Sequence, residues 1–296
     1  MDGDLVPWDK ATVHVMSHAI HYGTSAFEGI RAYPSPSSEQ LYIFRLPEHM
    51  KRLVNSCKIF GFDLQYSADE LEKATVETVR KNGFRQRCYI RPLVFVGFGG
   101  MGINFTGFPI QTVIIAFPFE KYLKGDGVAA MVSTWRRTSG QTGSPLAKIG
   151  GQYTNSVLGK MEAVKHGFDE CIMLDLNGKV SEGSGENLFL VEDGALVTPS
   201  ITSSILGGIT RLSVIKIAAD MGYRTVEREV SRSELYVADE AFYSGTAAEV
   251  TPITSVDRKP VGGGGVGPVT ARLRDSYLKL VSGEEPRYTS WLTPVY

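Results

Sequence analysis

The stretch Ser144-Pro-Leu-Ala-Lys148-Ile-Gly-Gly-Gln-Tyr153 places a lysine where its amine could do chemistry. Most other lysines sit in charged company: Lys51 beside Arg52, Lys73 beside Glu72, Lys81 beside Arg80. Lys148 lies among Pro145, Leu146, Ala147 and Ile149, with no acidic residue nearby in sequence. Apolar surroundings disfavour an ammonium, so its pKa falls and the free amine becomes a nucleophile. That is the requirement for a Schiff base with an aldehyde cofactor. The competing reading is a lysine snorkelling from a surface loop. Gly150 and Gly151 would let a ligand or another backbone come close.

Three further pieces could serve such a cofactor. Val180-Ser-Glu182-Gly-Ser-Gly-Glu186-Asn187 holds two carboxylates in a glycine-rich turn before a core strand. Either could sit at a pyridine nitrogen and keep it protonated, so that the ring accepts electrons; either could also be a solvated turn carboxylate. Leu206-Gly-Gly-Ile209-Thr210-Arg211 opens a helix, whose unpaired N–H groups and positive dipole end, with the Thr210 hydroxyl, suit a phosphate monoester. It could equally be an ordinary turn into a helix. Gly245-Thr246-Ala247-Ala248 is a small-residue turn that could add a hydroxyl and backbone N–H groups to an anion site.

Other chemistries find less support. Val261 to Pro268 is glycine-rich but has neither the dinucleotide fingerprint nor the phosphate-loop pattern, and reads as a flexible connection before the last helix. His14, His18 and His21 are spaced four and three residues apart without an acidic or cysteine cluster to complete a zinc set, so no metal is expected. Gly183-Ser184-Gly185 lacks the nucleophile-elbow spacing. Cys57, Cys88 and Cys171 are too sparse for a disulfide framework and read as buried small hydrophobes in a reducing compartment.

The elements that must position these groups alternate between strand and helix signals. The chain has 296 residues, 43% hydrophobic and 21% charged, within the range of a globular protein of one large or two ordinary domains. With 31 basic and 32 acidic residues, it offers no electrostatic reason to bind nucleic acid or an anionic membrane. The acidic N-terminus lacks the features of a signal peptide and no apolar run approaches a bilayer span, so a cytoplasmic protein is expected. Leu5 to Val15 alternates like a strand. Met50, Leu53, Val54, Cys57 and Phe60 fall at helical spacing up to Gly61, and Ser67 and Glu70 form a capping box for the next helix. Cys88 to Val96 and Thr112 to Phe119 read as core strands. Beyond them, Asn155 to His166 is a helix with Val157, Met161 and Val164 on one face. Asn177-Gly178 and Asp193-Gly194 mark hairpins. Helices follow at Ile209 to Met221 and Pro268 to Leu280. Two α/β domains fit this order, residues 1–122 and 132–296, with 123–131 as the linker.

Seven ordered segments carry a resemblance: HAIHYGTSAFEGIRAY (18–33), EHMKRL (48–53), YIRPLVF (89–95), AKIGGQY (147–153), SEGSGENLF (181–189), LGGITR (206–211) and SGTAAEVTP (244–252). On these the chain resembles the fold-type IV pyridoxal-phosphate enzymes, specifically the bacterial branched-chain amino-acid aminotransferases. The likeness covers essentially the whole chain. It implies an α/β (α+β) fold with a smaller N-terminal domain and a larger pseudo-barrel domain. It implies pyridoxal 5′-phosphate bound through Lys148, Glu182 rather than Glu186 at the pyridine nitrogen, and Tyr153 at the phenolic oxygen. Arg52, Leu206, Ile209, Thr210 and Thr246 would hold the phosphate. Tyr89 and Arg91 match a substrate-side pair, and Thr246 and Ala247 a turn that holds the α-carboxylate. Phe27, Tyr22 and Tyr122 resemble the lining of the side-chain pocket. Met101 and Ile103 match a loop that reaches the neighbouring subunit's site, which requires at least a homodimer. Phe119 stands where close relatives can carry tryptophan, which leaves the pocket size open.

The implied reaction moves the amino group of leucine, isoleucine or valine to 2-oxoglutarate. An aromatic pocket suits the branched side chain, and Arg91 is the candidate cation for the carboxylate of glutamate, which would be costly to bury unpaired. Related readings are a D-amino-acid or (R)-amine transaminase or an aminodeoxychorismate lyase of the same fold; a non-catalytic pyridoxal-phosphate carrier is the reading from another class.

Overall fold

The computed structural model describes residues 1–120 and 126–296. Two compact units form. The first combines Met1–Glu120 with Ala147–Tyr153 and Leu280–Tyr296; the second combines Lys121–Leu146 with Thr154–Lys279. Two segments that the sequence reading assigned to the second domain, the lysine-bearing stretch and the C-terminus, thus belong to the first unit. Of the segment 123–131 read as a linker, residues 123–125 lie outside the described residues, and a strand begins at Val128.

The first unit is built on a six-stranded sheet with antiparallel pairings. Its centre is Cys88–Val96, nine residues of mostly buried side chains, paired along its whole length with Ile110–Pro118. The opposite edge of Cys88–Val96 carries two short strands, Ser25–Phe27 and Ile30–Pro34. Two helices accompany it. Leu46–Phe60 buries Leu46, Met50, Leu53 and Cys57 and ends at Gly61, whose φ of 69° is the left-handed C-cap that glycine favours. Ala68–Lys81 starts with the Ser67–Glu70 capping box, both hydrogen bonds present. Leu5 to Val15 forms no strand. It contains a short 3-10 turn at Trp8–Lys10, and Leu5, Val6, Trp8, Val13 and Val15 stay exposed, so the alternation buries no face.

The second unit is built on a nine-stranded mixed sheet running Thr225–Arg228, Ala195–Pro199, Asn187–Glu192, Glu240–Gly245, Glu249–Val256, Val128–Arg136, Glu170–Leu174, Val180–Gly183, with Lys259–Pro260 paired to Glu249–Val256. Both expected hairpins form. Asp193 and Gly194 take φ of 48° and 75°, the twist a two-residue turn needs. Asp175 closes the other by accepting from the N–H groups of Asn177 and Lys179 at 2.9 Å.

Two features of this unit differ from expectation. Helix Tyr153–Lys165 forms, but Val157, Met161 and Val164 are exposed; Ser156, Gly159 and Ala163 are buried instead. A Cβ at Gly159 would come within 3.1 Å of Cys171 Sγ, so small residues let this helix lie close to its strand. The glycines before the last helix, Pro268–Val281, serve packing as well as turning. A Cβ on Gly262 would strike the Asp239 carbonyl at 2.1 Å, and one on Gly267 the Glu240 carboxylate at 2.0 Å. Glu240 accepts from the N–H groups of Val269 and Thr270 at 2.9 and 2.7 Å, so a protein carboxylate occupies that helix start. Burial pushes the Cys57 and Cys88 thiols up to about 12, which leaves them inert. Among the described residues no helix is long and apolar enough to cross a membrane.

Candidate active site

In the first unit the Lys148 segment is clamped by backbone. Lys148 N donates to Ser56 Oγ at 3.0 Å, its carbonyl accepts from Phe27 N at 3.0 Å, and Ala26 and Ile149 form an antiparallel bridge. Of the glycines that follow, Gly150 makes room for Ser25, whose Oγ a Cβ would meet at 2.2 Å, and Gly151 admits another backbone: its N donates to Gly23 O at 2.9 Å, and a Cβ on Gly23 would stand 2.6 Å from Gly151 Cα. The half-buried Lys148 side chain points Nζ at Tyr153 Oη, 2.5 Å away, and holds it 5.0 Å from the ring centres of both Phe27 and Tyr153. This is not a lysine snorkelling into solvent.

Contacts spread outward from this amine. The Phe27 and Tyr153 rings meet edge to face at 4.8 Å. Arg91 lies over Phe27 at 4.6 Å and donates to Tyr89 Oη at 3.0 Å, while its Nε is buried without a hydrogen-bond partner among the described residues. Tyr89 packs against Phe117 and Phe119, with ring centres 5.6 and 5.3 Å away. Gly29 makes room for it, since a Cβ there would lie 2.1 Å from Tyr89 Oη. The structure thus gathers Phe27, Tyr89, Arg91, Lys148 and Tyr153. Tyr22 joins a different group: its hydroxyl accepts from Gly102 N at 3.2 Å, beside the exposed Met101 and Ile103. Tyr122 lies outside the described residues.

Arg52 is not a solvated charge. Its Nε and Nη2 donate to the two oxygens of Glu28 at 2.6 and 2.8 Å, and His49 Nδ1 stands 2.7 Å from Glu28 Oε2. Burial alone would raise the Glu28 carboxyl, but Arg52 and His49 together hold it well below the usual carboxylate range. Burial lowers His49 against the pull of Glu28. Ser56 Oγ, which accepts from Lys148 N, donates to Arg52 O at 2.9 Å, so arginine and lysine segments share one hydroxyl.

In the second unit, Glu182 is buried at the end of Val180–Gly183 with three donors on its carboxylate. Arg137 Nε donates to Oε1 at 2.7 Å; Asn187 Nδ2 and Leu206 N donate to Oε2 at 2.8 and 3.1 Å. Arg137 is itself fixed by Nη1 donating to Ser156 Oγ at 2.9 Å. Such donors stabilise the ionised form. Gly208 is the N-cap of helix Ile209–Asp220 and, as a glycine, brings no side-chain cap to the helix start. Thr210 is buried, and Thr246 and Ala247 are half-buried. Strand pairing puts Ser244 opposite Asn187, and a Cβ on Gly245 would meet Glu186 Cγ at 3.5 Å. The turn of Thr246 and Ala247 therefore adjoins the turn that follows Glu182.

Four residues of these networks were missed in the sequence: Glu28, His49, Arg137 and Asn187. Glu28, His49 and Asn187 stand inside segments that carry the resemblance. Arg137 follows Arg136 and gave no signal beyond a pair of adjacent charges.

The first unit offers a lysine amine against a phenol, and the second a buried carboxylate held by a guanidinium and a helix start with a glycine cap; each suits one part of an anionic aldehyde with a basic ring. The comparisons agree with this chemistry. Residues 25–256 match the family Amino-transferase class IV. The chain is 50% identical over 299 residues to the branched-chain-amino-acid aminotransferase of Salmonella typhimurium, covering 99% of this chain and 96% of that protein. It is 41% identical over 297 residues to a probable branched-chain-amino-acid aminotransferase of Aquifex aeolicus, covering 100% and 96%. Among solved structures it is similar to the branched-chain aminotransferase of the thermophilic archaeon Thermoproteus uzoniensis with norvaline, at a TM-score of 0.96 and 47% identity over 100% of this chain and 98% of that one. A T.th. branched-chain amino acid aminotransferase complexed with N-(5′-phosphopyridoxyl)-L-glutamate gives a TM-score of 0.96 at 46% identity, covering 100% and 97%. The chain therefore belongs to the class IV aminotransferase family, among its branched-chain-amino-acid aminotransferases.

Proposed function

We propose that this aminotransferase uses pyridoxal 5′-phosphate to move the amino group of L-leucine, L-isoleucine or L-valine to 2-oxoglutarate, with Lys148 as the reacting amine. The observation that carries the reading is the Lys148 amine, bonded to Tyr153 Oη and set between two rings on a clamped backbone. The phosphopyridoxyl-glutamate ligand of the T.th. relative supports both the cofactor and glutamate as a partner substrate.

When bound, the cofactor supplies an aldehyde that captures amino groups and a ring that accepts electrons. The chain does the rest. Lys148 Nζ takes the proton from the amino acid's Cα as general base, and Tyr153 Oη orients it. Glu182, kept ionised by Arg137, holds a proton at the ring nitrogen. Arg52, oriented by Glu28, binds the phosphate together with Leu206, Ile209, Thr210 and Thr246. Thr246 and Ala247 take the α-carboxylate, and Phe27 and Tyr89 line the side-chain pocket. Arg91, resting on Phe27, is the cation for the second carboxylate of glutamate.

Tyr22, Met101 and Ile103 form a separate group. Met101 and Ile103 are 62% and 83% exposed, apolar side chains on a loop, and we assign them, with Tyr22, to the neighbouring subunit's site in a homodimer. Tyr122 is assigned to the pocket on the sequence resemblance alone.

Borohydride reduction of the protein loaded with pyridoxal 5′-phosphate, followed by peptide mapping, tests the central assignment. The pyridoxyl tag is expected on Lys148, and Lys148→Ala is expected to lose the visible absorbance and nearly all activity. A tag on another lysine, or an unchanged spectrum, overturns the reading.

A further inference from the structure

Asn187 links two places to which the proposed function gives different tasks. It is the first residue of strand Asn187–Glu192 and is buried. Its Nδ2 donates to Glu182 Oε2 at 2.8 Å and to Leu206 O at 2.9 Å. Leu206 N donates to the same carboxylate oxygen at 3.1 Å. One amide, one carboxylate oxygen and both polar atoms of the Leu206 residue thus form a closed cluster. The other end of the amide reaches further along the turn: a Cβ built on Gly208 would lie 1.9 Å from Asn187 Oδ1. Gly208 has φ −69° and ψ 130°, values any residue adopts, so no backbone conformation demands glycine there. The demand is space, and Asn187 occupies it. The turn into helix Ile209–Asp220 is therefore seated directly on the amide that also holds Glu182.

We propose that Asn187 is a positioning residue that fixes the Glu182 carboxylate and the Leu206–Ile209 turn to one another, so that the acid facing the ring nitrogen and the helix start facing the phosphate are set by a single side chain. The inference rests on the proposed roles of Glu182 and of the helix start. An alanine at position 187 could donate to neither partner. Leu206 O and Glu182 Oε2 would each lose that donor. A bond to a charged group is worth about 1.5–3 kcal/mol, equivalent to about ten- to hundredfold.

The full-length protein loaded with pyridoxamine 5′-phosphate gives two readouts that do not depend on turnover. The first is the dissociation constant of that ligand, compared with the constant for pyridoxamine, which lacks the phosphate. The second is the pH titration of the bound ring's absorbance, which reports the group at the ring nitrogen. Asn187→Ala is expected to weaken pyridoxamine 5′-phosphate by about tenfold or more, to shrink the advantage of the phosphate, and to shift the ring titration. Gly208→Ala, which pushes on the same amide from the helix side, is expected to give the same pair of changes. It keeps the proposal testable if Asn187→Ala does not fold. Folded variants whose constants stay within about twofold, or that change one readout and leave the other, overturn the link. Glu182→Gln separates the two claims: an unmoved ring titration in that variant overturns the role of Glu182, while a weakened phosphate advantage in Asn187→Ala would still show that Asn187 seats the turn.

Discussion

Glu182 and Glu186 stand four residues apart, at the end of strand Val180–Gly183 and in the turn that follows it, both buried, yet they meet opposite surroundings. Glu182 receives a guanidinium, an amide and a backbone N–H. Glu186 folds back over the turn and receives Gly185 N at 3.1 Å. A Cβ on Gly183 would lie 2.8 Å from its Oε2. Burial and then the charge of Glu170 push the Glu186 carboxyl up to about 8, so it is largely neutral at neutral pH. Glu170, itself buried, pairs with Lys160 at 2.7 Å. The two glutamates show that a turn motif supplies carboxyl groups but does not set their charge. Arg137 and Glu170, which come from other strands or their ends, do that.

The comparison breaks most visibly at Arg137. Arg137→Met leaves Glu182 buried with its main cation gone, and removing one partner of a buried pair costs about 3–5 kcal/mol. Urea unfolding of the variant should show a loss of that size; a loss below about 1 kcal/mol would mean that Arg137 is not what keeps Glu182 charged. Next in size is the contrast between amides. Glu182→Gln should retain the cofactor and lose about a hundredfold in kcat/KM, as removal of a preorganised charge does, while Glu186→Gln stays within about threefold. The reverse pattern would exchange the two roles.

The most gradual effect sharpens the contrast through pH. An acid raised from its ordinary 4.5 to about 8 stabilises the fold fully below the lower value and loses that contribution as pH rises through the upper one. Between those limits the folded chain holds a proton the unfolded chain has released, for a slope of up to about 1.4 kcal/mol per pH unit. Glu186→Gln cannot release that proton, so its stability between pH ~5 and ~8 should fall less steeply than that of the parent protein. Parallel curves from thermal unfolding across this range would place the proton elsewhere.

Local chemistry was legible where partners are close in sequence. The Ser67–Glu70 box, the Gly61 stop and the Asp193-Gly194 turn are decided within a few residues, and each formed as read. Burial was less legible. Apolar spacing at Val157, Met161 and Val164 identified a helix but named the wrong face, because the small residues Ser156, Gly159 and Ala163 allow closer approach to the strand. The networks around Arg52 and Glu182 were not legible without the resemblance. Glu28 is 24 residues from Arg52, and Arg137 is 45 from Glu182; only tertiary folding brings them within bonding distance. The glycines misled for a related reason. Gly208 and Gly267 resemble flexible or ligand-cradling positions in sequence, but their missing side chains leave room for Asn187 and Glu240.

The bridge between Ala26 and Ile149 has a mechanical corollary. Lys148 sits in no regular strand, yet its main chain is stitched on one flank to Phe27 and on the other to Ser56. Its Cα therefore inherits the stiffness of a sheet rather than the wandering of a connecting segment. Whatever swing its nitrogen needs under the proposed reaction must come from its own four methylenes, an arm pivoting on a fixed post with the tyrosine hydroxyl at its tip.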